Sequence, residues 1–413
     1  MKVLLFCLSF SLLCKVVFSH NGGEHDDDYE RGTHDSHHHV FANESIACHK
    51  IVPSNSQFAS RLFKQITDRN PLDNIFISPV SISTALAMLS KGAKSKTHDE
   101  ILEKLGFNSS EITKEEFNSC FQHPFYVFNH PDCELQLDSG NALFIDTKLK
   151  LLQSFLDDVK RNYESEAFSS DFTNSDEAKN QINSYVEKRI NGKIPELLSS
   201  IDKDTMLFLI NVIYFKGKWE MPFNEEFTSE GDFHVDENTV VKVPFMRRTG
   251  MYNVLLSENV TMVQIPYKGN TSALFILPKE GKLRHIEQNL QESTIKAWKS
   301  KFNQMYVELY LPKFIISTTL DLEELLDKLG IAEVFSDAAD LSGITEQVKL
   351  KGSKAVHKAV WSVDEKGTEA VAAIKIVTTR LPTTIVINRP FILEITNNDI
   401  ILFKGRVINP AVA

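Results

Sequence analysis

The second half of the chain holds a series of segments rich in β-branched and aromatic residues, and this series constrains the fold most strongly. Seven segments have the length and composition of strands. They are TMLFLINVIYF (205–215), VVKVPFM (240–246), TSALFILP (271–278), YVELYLPKF (306–314), TTIVIN (383–388), PFILEIT (390–396) and IILFKGRVINP (400–410). Helical patterns lie earlier, at 57–66, 78–93 and 171–192. Helices followed by strands predict an α+β protein with large antiparallel sheets.

Composition and motif content exclude several classes of function. An apolar share of 42% beside 24% charged residues is typical of a folded globular protein. The formal charge of −10 disfavours nonspecific nucleic-acid binding. The chain has no G-x-S-x-G, H-E-x-x-H, Walker or dinucleotide-binding motif. We therefore expect no enzyme and no cofactor.

The N-terminal region divides into a leader and a polar tail. Residues 1–19 have the charged start and short apolar run of a signal peptide, which predicts secretion, and no later stretch is long enough for a membrane anchor. Residues 20–52 are rich in His and Asp, with almost no apolar side chains until about residue 40, and predict a flexible tail. Weak metal binding there is conceivable, but a solvated tail is favoured and we place no metal site. Residues 53–413 predict the folded domain.

Sequons and cysteines fit a secreted protein. Four Asn-x-Ser/Thr sequons are candidates for glycosylation: Asn43, Asn108, Asn259 and Asn270. Outside the leader, three cysteines remain, Cys48, Cys120 and Cys133, so they cannot all pair within the chain. A bridge between Cys120 and Cys133 and three free thiols are both compatible with the sequence.

The segment DEKGTEAVAAIKIVTTRLPTT (364–384) combines a strand pattern with a basic site that we expect to be exposed. One face of the strand is small or apolar throughout and suits burial. It consists of Thr368, Ala370, Ala372, Ile374, Ile376 and Thr378. The opposite face carries both charges of the run, Glu369 and Lys375. The strand pattern is followed by Arg380-Leu381-Pro382, which resembles a cleavage site for a protease.

Several motifs, in order and at matching spacing, resemble the serpins, closest to the antitrypsin-like plasma branch of that family. They are NIFISPVSISTALAMLSKGAKSKT (74–97), INVIYFKGKWEMPF (210–223), VKVPFM (241–246), LPKF (311–314), KAVHKAVWSVDEKGTEA (354–370), NRPFIL (388–393) and FKGRVINP (403–410). The resemblance runs from about Pro53 to the C-terminus. It implies about nine helices, three β-sheets and an exposed reactive-centre loop in a metastable native state. Cleavage of the loop by a target protease would insert the upstream segment into the main sheet and trap the acyl-enzyme.

The resemblance also assigns roles to residues. The hinge of the reactive loop corresponds to Glu365, Gly367, Thr368, Ala370 and Ala372. The polar "shutter" cluster under the middle of the main sheet corresponds to Ser78, Ser81, Asn211 and His357. The "breach" at the top of the sheet corresponds to Trp219 and to Lys313, which is matched as the salt-bridge partner of Glu365. None of these residues is expected to be catalytic.

The reactive bond can be placed in two ways. The commonest loop length of the family, counted from Glu365, puts the cut after Leu381 and predicts a chymotrypsin- or elastase-like target. Pro382 would then follow the scissile bond, where its ring constrains the chain beside the reacting carbonyl. A loop shorter by one residue puts the cut at Arg380-Leu381, which suits the acidic specificity pocket of a trypsin-like protease. We favour Arg380-Leu381.

The expected function is therefore secreted inhibition of a serine protease by a monomer that traps its target covalently. The alternative is a serpin-fold carrier of a small hydrophobic hormone, because the same branch contains such carriers. The region that matches the glycosaminoglycan helix of the family, 114–130, has one lysine, no arginine and two adjacent glutamates. Because capture of a polyanion needs clustered cations, we expect no heparin switch.

Overall fold

The computed structural model describes residues 52–412, except 107, 109, 111, 114–115, 118–119, 121–134, 164, 195, 367–380 and 398. This part of the chain contains eight α-helices and fourteen strands and is an α+β fold, as predicted. The helices are α1 (Val52–Arg69), α2 (Pro79–Gly92), α3 (Ser95–Lys104), α4 (Gln153–Tyr163), α5 (Ser175–Arg189), α6 (Leu283–Gln288), α7 (Glu292–Lys299) and α8 (Glu323–Lys328). None of them combines the length and apolar character needed to cross a membrane.

Helix α2 shows how the local sequence sets an element boundary. Ser78 has an extended backbone, and its hydroxyl accepts a hydrogen bond from the backbone N–H of Ser81. Pro79 follows at the first helical position, where its missing N–H costs nothing. Every residue of α2 except Lys91 is buried. Ser78 and Pro79 therefore begin a helix that is buried along almost its whole length.

The strands are β1 (Ile75–Ile77), β2 (Leu135–Asp146), β3 (Glu166–Ser170), β4 (Leu207–Gly217), β5 (Ser229–His234), β6 (Val240–Leu256), β7 (Val260–Pro266), β8 (Thr271–Pro278), β9 (Asn303–Pro312), β10 (Phe314–Asp321), β11 (Lys354–Val363), β12 (Thr383–Val386), β13 (Phe391–Asn397) and β14 (Ile400–Val407). Strands β10-β11-β4-β2-β3 form a five-stranded sheet in that order. The β11–β4 and β2–β3 pairs are parallel, and the other two pairs are antiparallel.

The other nine strands form one hydrogen-bonded network through the long strand β6. The first half of β6 pairs with β5 and its middle with β9, which also pairs with β12. The last residues of β6 pair with β7, from which the network continues through β8, β13 and β14 to β1. The network is thus two sheet regions that share β6. Together with the five-stranded sheet, these regions correspond to the three sheets expected from the resemblance.

Aromatic side chains pack the five-stranded sheet against the larger network. Phe76 on β1 stacks on Trp361 of β11, with ring centroids 5.3 Å apart. Its other neighbour is Phe403 on β14, at 4.8 Å. Rings at these separations bury large apolar areas and add a favourable stacking term. Phe76 therefore links β11 of the five-stranded sheet to β14 of the larger network.

One predicted helix start differs in detail. An asparagine followed three residues later by a glutamate, as at Asn174 and Glu177, predicts a capping box, in which each side chain binds the backbone N–H of the other residue. In the structure, the Asn174 side chain makes no such backbone bond and instead donates from Nδ2 to Oε2 of Glu177 at 2.8 Å. The two side chains pair with each other beside the helix N-terminus, so the reciprocal box is not formed.

Candidate functional site

The two central strands of the five-stranded sheet separate at their C-terminal ends. Strands β4 and β11 pair in parallel over eight residues, ending at Phe215 and Trp361. Both strands continue for two more residues, but there each strand is paired only with its outer neighbour. Gly217 of β4 pairs with β2, and Val363 of β11 pairs with β10. The sheet is therefore split between β4 and β11 at the point where the chain leaves β11 toward residues 367–380.

Glu365 and Lys313 form the ion pair that the resemblance predicts at the base of the loop. Lys313 Nζ lies 2.8 Å from Oε2 of Glu365, and the hydroxyl of Thr228 donates to Oε1 at 2.8 Å. The Glu365 side chain is buried, which favours the neutral acid, but the hydrogen bonds from Lys313 and Thr228 favour the carboxylate. The net effect lowers the pKa of Glu365. Glu365 is therefore a charged anchor for the first residues of the loop.

Trp219, predicted at the top of the sheet, lies directly at the split. Its indole is buried, stacks on Tyr267 at a centroid distance of 4.2 Å, and donates from Nε1 to the carbonyl oxygen of Asp364 at 2.9 Å. A second contact reaches the same residue, because Lys216 Nζ lies 2.5 Å from Asp364 Oδ2. Asp364, Lys216 and Thr228 were not identified from the sequence, where each resembles an ordinary surface residue.

The four predicted shutter residues form one hydrogen-bonded cluster beneath the middle of the sheet. The backbone N–H of Ser78 donates to Nε2 of His357 at 3.3 Å. His357 Nδ1 lies 2.5 Å from Oδ1 of Asn211, whose Nδ2 donates to Oγ of Ser81 at 2.5 Å. The Ser78 hydroxyl donates to the carbonyl oxygen of Leu402 at 2.8 Å. The cluster thus ties helix α2 to strands β4, β11 and β14.

Asn141 on β2 is a fifth member that the sequence did not indicate. Asn211 Nδ2 also donates to Oδ1 of Asn141. In the sheet register, Asn141 is opposite Asn211, and Asn211 is opposite His357. The three side chains therefore form one polar row across β2, β4 and β11. Opening the sheet between β4 and β11 must break the His357–Asn211 contact of this row.

The protonation state of His357 follows from its partners. Because Nε2 accepts from Ser78 and Nδ1 faces the carbonyl oxygen of Asn211, the ring carries its proton on Nδ1. The ring is completely buried, and this burial lowers the pKa of His357 to about 3. His357 is thus a neutral imidazole at physiological pH, with both ring nitrogens used.

The structure describes only part of the predicted loop. Gly367, Thr368, Ala370, Ala372 and Arg380 lie outside the described residues, so their roles stay predictions. Leu381 is described and its side chain is 94% exposed, two residues before β12 begins. The side following the predicted reactive bond is therefore open to solvent.

The sequons and cysteines are only partly within the described residues. Asn108, Asn259 and Asn270 are exposed, while Asn43 lies outside the described part. Cys120 is disulfide-bonded, and its partner is outside that part. Three free thiols are therefore excluded, although the Cys120–Cys133 pairing stays a prediction.

Metal binding finds no support in the described residues. They contain no group of three or more His, Cys, Asp or Glu side chains placed to hold a metal ion. The His-rich tail at 20–52 lies outside the described residues except for its last position, so its metal binding is untested.

The sheet is split between β4 and β11, and Leu381, just after the predicted reactive bond, is exposed. A match to a known protein family identifies the class of protein with these features. Residues 53–410 match the family model described as Serpin (serine protease inhibitor). The chain therefore belongs to the serpin family.

Two relatives and a solved structure show which branch of the serpin family the chain resembles. The chain is 47% identical to alpha-1-antiproteinase of Callosciurus caniceps, over 89% of this chain and 90% of the relative. It is 46% identical to alpha-1-antitrypsin of Sus scrofa, over 93% and 91%. The crystal structure of human thyroxine-binding globulin complexed with thyroxine matches with a TM-score of 0.82 at 43% identity, covering 88% of this chain and 99% of that one. The antitrypsin-like branch is confirmed.

Proposed function

We propose that the protein is a secreted serine protease inhibitor that traps a trypsin-like target covalently, through cleavage at Arg380-Leu381 and insertion of the upstream loop segment. One observation carries this proposal: the parallel pair β4–β11 is split at the end from which the loop departs. Secretion is supported by the leader-like residues 1–19 and by the exposed sequon side chains of Asn108, Asn259 and Asn270.

Strand direction explains why the loop would enter at this place. A segment that leaves the end of β11 and turns back runs antiparallel to β11, and also to β4, because β4 and β11 are parallel. Insertion would replace one parallel contact by two antiparallel contacts, which are slightly more stable per residue. The segment from Thr368 to Thr378 would add about 36 Å of strand at about 3.3 Å per residue. The stabilisation that the protein gains from this inserted strand would drive the trapping of the protease.

The reactive bond is proposed between Arg380 and Leu381. The serine Oγ of the protease would attack the Arg380 carbonyl carbon, and the Arg380–Leu381 bond would break. The new amino group of Leu381 takes its proton from the histidine of the protease, and an ester to Arg380 remains. Insertion before hydrolysis of that ester would hold the protease on the inhibitor. Cleavage after Leu381 by a chymotrypsin- or elastase-like protease is the competing assignment.

A pair of hinge variants tests this mechanism. Ala372→Glu places a charge on the face that becomes buried, and Ala373→Glu places the same charge one residue on, on the opposite face. After incubation with trypsin and boiling in detergent, the parent and Ala373→Glu should show a protease complex on gels, and Ala372→Glu mainly clipped inhibitor. Clipped inhibitor alone from the parent would contradict trapping, and equal complex from both variants would contradict insertion by this face.

A carrier of a small hydrophobic hormone is the second candidate, favoured by the likeness to thyroxine-binding globulin. Such a ligand calls for a mostly apolar, enclosed pocket. A cleft of about 1200 Å³ lies between α1, β10 and α8, but acidic side chains including Asp73, Asp236 and Asp321 line it. Saturable binding of thyroxine in equilibrium dialysis, with no trypsin complex from the same preparation, would support the carrier over the inhibitor.

A further inference from the structure

The split between β4 and β11 is bridged by an ion pair. Lys216 lies on β4 immediately after the last residue that pairs with β11, and Asp364 follows the last residue of β11. Lys216 Nζ and Asp364 Oδ2 are 2.5 Å apart, and their side chains are only 29% and 16% exposed. The contact therefore joins the two strands beyond the point where backbone hydrogen bonds between them have ended.

The ion pair of Lys313 and Glu365 has a different position. Lys313 lies between β9 and β10, so this pair holds the end of β11 toward β10. The pair of Lys354 and Asp321, at 3.8 Å, likewise joins β11 to β10. Strands β10 and β11 remain neighbours when a segment enters between β4 and β11. Insertion therefore does not require these two pairs to separate.

The Lys216–Asp364 pair, in contrast, must separate. An inserted strand moves β4 and β11 apart by one further strand spacing, about 4.8 Å. That displacement takes the two charged groups beyond the distance of a direct ion pair. The indole of Trp219 donates to the carbonyl oxygen of Asp364 across the same split, and this hydrogen bond must also break. Both contacts stabilise the closed sheet and are lost as it opens.

We propose that Lys216 and Asp364 are positioning residues that hold the sheet closed and set the rate of loop insertion. The inference rests on the proposed insertion mechanism. Loss of either charge should raise the energy of the closed sheet and leave the opened state unchanged, so insertion should become faster.

Uptake of a synthetic strand by the uncleaved protein tests this inference without any protease. The probe is the peptide TEAVAAIKIVTT, which is the segment from Thr368 to Thr379. Formation of its complex with the protein is followed over time on native gels. The variants are Lys216→Met, Asp364→Asn and the double variant, and Lys354→Met is the matched control because its ion pair does not cross the split.

We expect each single variant to take up the peptide about fivefold faster than the parent, which is the scale of a partly exposed ion pair. The double variant should be no faster than either single variant, and Lys354→Met should match the parent. Rates within twofold of the parent for both single variants, or additive effects in the double variant, would overturn the inference. Failure of the parent to take up any peptide would contradict loop insertion itself, and the inference with it.

Discussion

His357 Nδ1 lies 2.5 Å from Asn211 Oδ1, and the two residues are direct register partners on the adjacent parallel strands β11 and β4. Their contact is buried beneath helix α2 and is the one side-chain link of the shutter cluster that crosses the line along which the sheet would open. The stability of the closed sheet should therefore depend on the protonation state of His357.

We expect acid to weaken the fold through His357. Burial lowers the pKa of this imidazole to about 3, against 6.5 when it is exposed. Between these values the unfolded chain binds a proton that the folded protein does not, so the free energy of unfolding falls as pH decreases. From pH 7 to pH 5 the loss is about 2 kcal/mol. Denaturant unfolding at the two pH values measures it.

A variant without the imidazole separates this effect from other titrating groups. His357→Gln should lose about 2 kcal/mol less than the parent over the same pH range, because it has no proton to gain. Equal pH dependence in the parent and in His357→Gln would show that His357 does not carry the effect.

Removing the His357 side chain should favour opening of the sheet. In His357→Ala the backbone N–H of Ser78 and the side chain of Asn211 lose their partner, at a cost of about 1–3 kcal/mol. Native gels after mild heating should then show polymers or an inserted latent monomer. The exposed His285→Ala is the control and should behave like the parent. A His357→Ala protein that stays monomeric and inhibitory on heating would refute the assigned role.

The base of the loop should depend on Lys313. In Lys313→Met the buried carboxylate of Glu365 keeps the hydroxyl of Thr228 but loses its cation, and we expect about 1–3 kcal/mol of destabilisation at pH 7. Because the pKa of Glu365 is lowered in the fold, this contribution is fully present above the ordinary pKa of about 4.5 and is lost progressively as pH falls from there through the lowered pKa.

Denaturant unfolding of Lys313→Met, Lys313→Arg and the parent at pH 7 and pH 4 checks this. The arginine variant retains the charge and should lie between the other two. A cost that is the same at both pH values would mean that packing of the lysine stem matters more than the ion pair.

The local sequence was sufficient to predict a helix or strand where all the residues that determine it lie in one segment. Ser78 and Pro79 mark the start of α2, and the predicted strand at 271–278 matches β8. By contrast, β6 continues ten residues past its predicted end at Met246. The following Arg247 has the polarity of a turn residue, but its guanidinium pairs with Glu308 of β9 and packs over Tyr310. The length of β6 therefore depends on contacts with residues that are distant in the chain, which the local sequence does not reveal.

In the candidate site, too, some residues could be predicted from the sequence and others could not. Known motifs identified Ser78, Ser81, Asn211 and His357, whereas Asn141 appears only once the register of β2 against β4 is known. Local alternation fixes which face a side chain takes, but it does not fix which residue of a distant strand lies opposite. For the same reason the Lys216–Asp364 contact could not be predicted, because it depends on where β4 and β11 stop pairing.

Heparin should have little effect on the inhibitor. The only cation other than histidine in residues 114–130 is Lys114, and two glutamates follow it, so a polyanion gains little from binding there. At physiological salt, we expect the second-order rate of trypsin inhibition to change less than twofold when heparin is added. An acceleration of tenfold or more would contradict this prediction.

The central claim is that the protein traps a trypsin-like protease through the Arg380–Leu381 bond. Its most direct test is N-terminal sequencing of the small fragment released when the boiled complex with trypsin is separated on a denaturing gel. We predict a detergent-stable complex and a fragment that begins at Leu381. A fragment that begins at Pro382 would contradict the assigned bond and the trypsin-like specificity, and clipped inhibitor without any complex would contradict trapping itself.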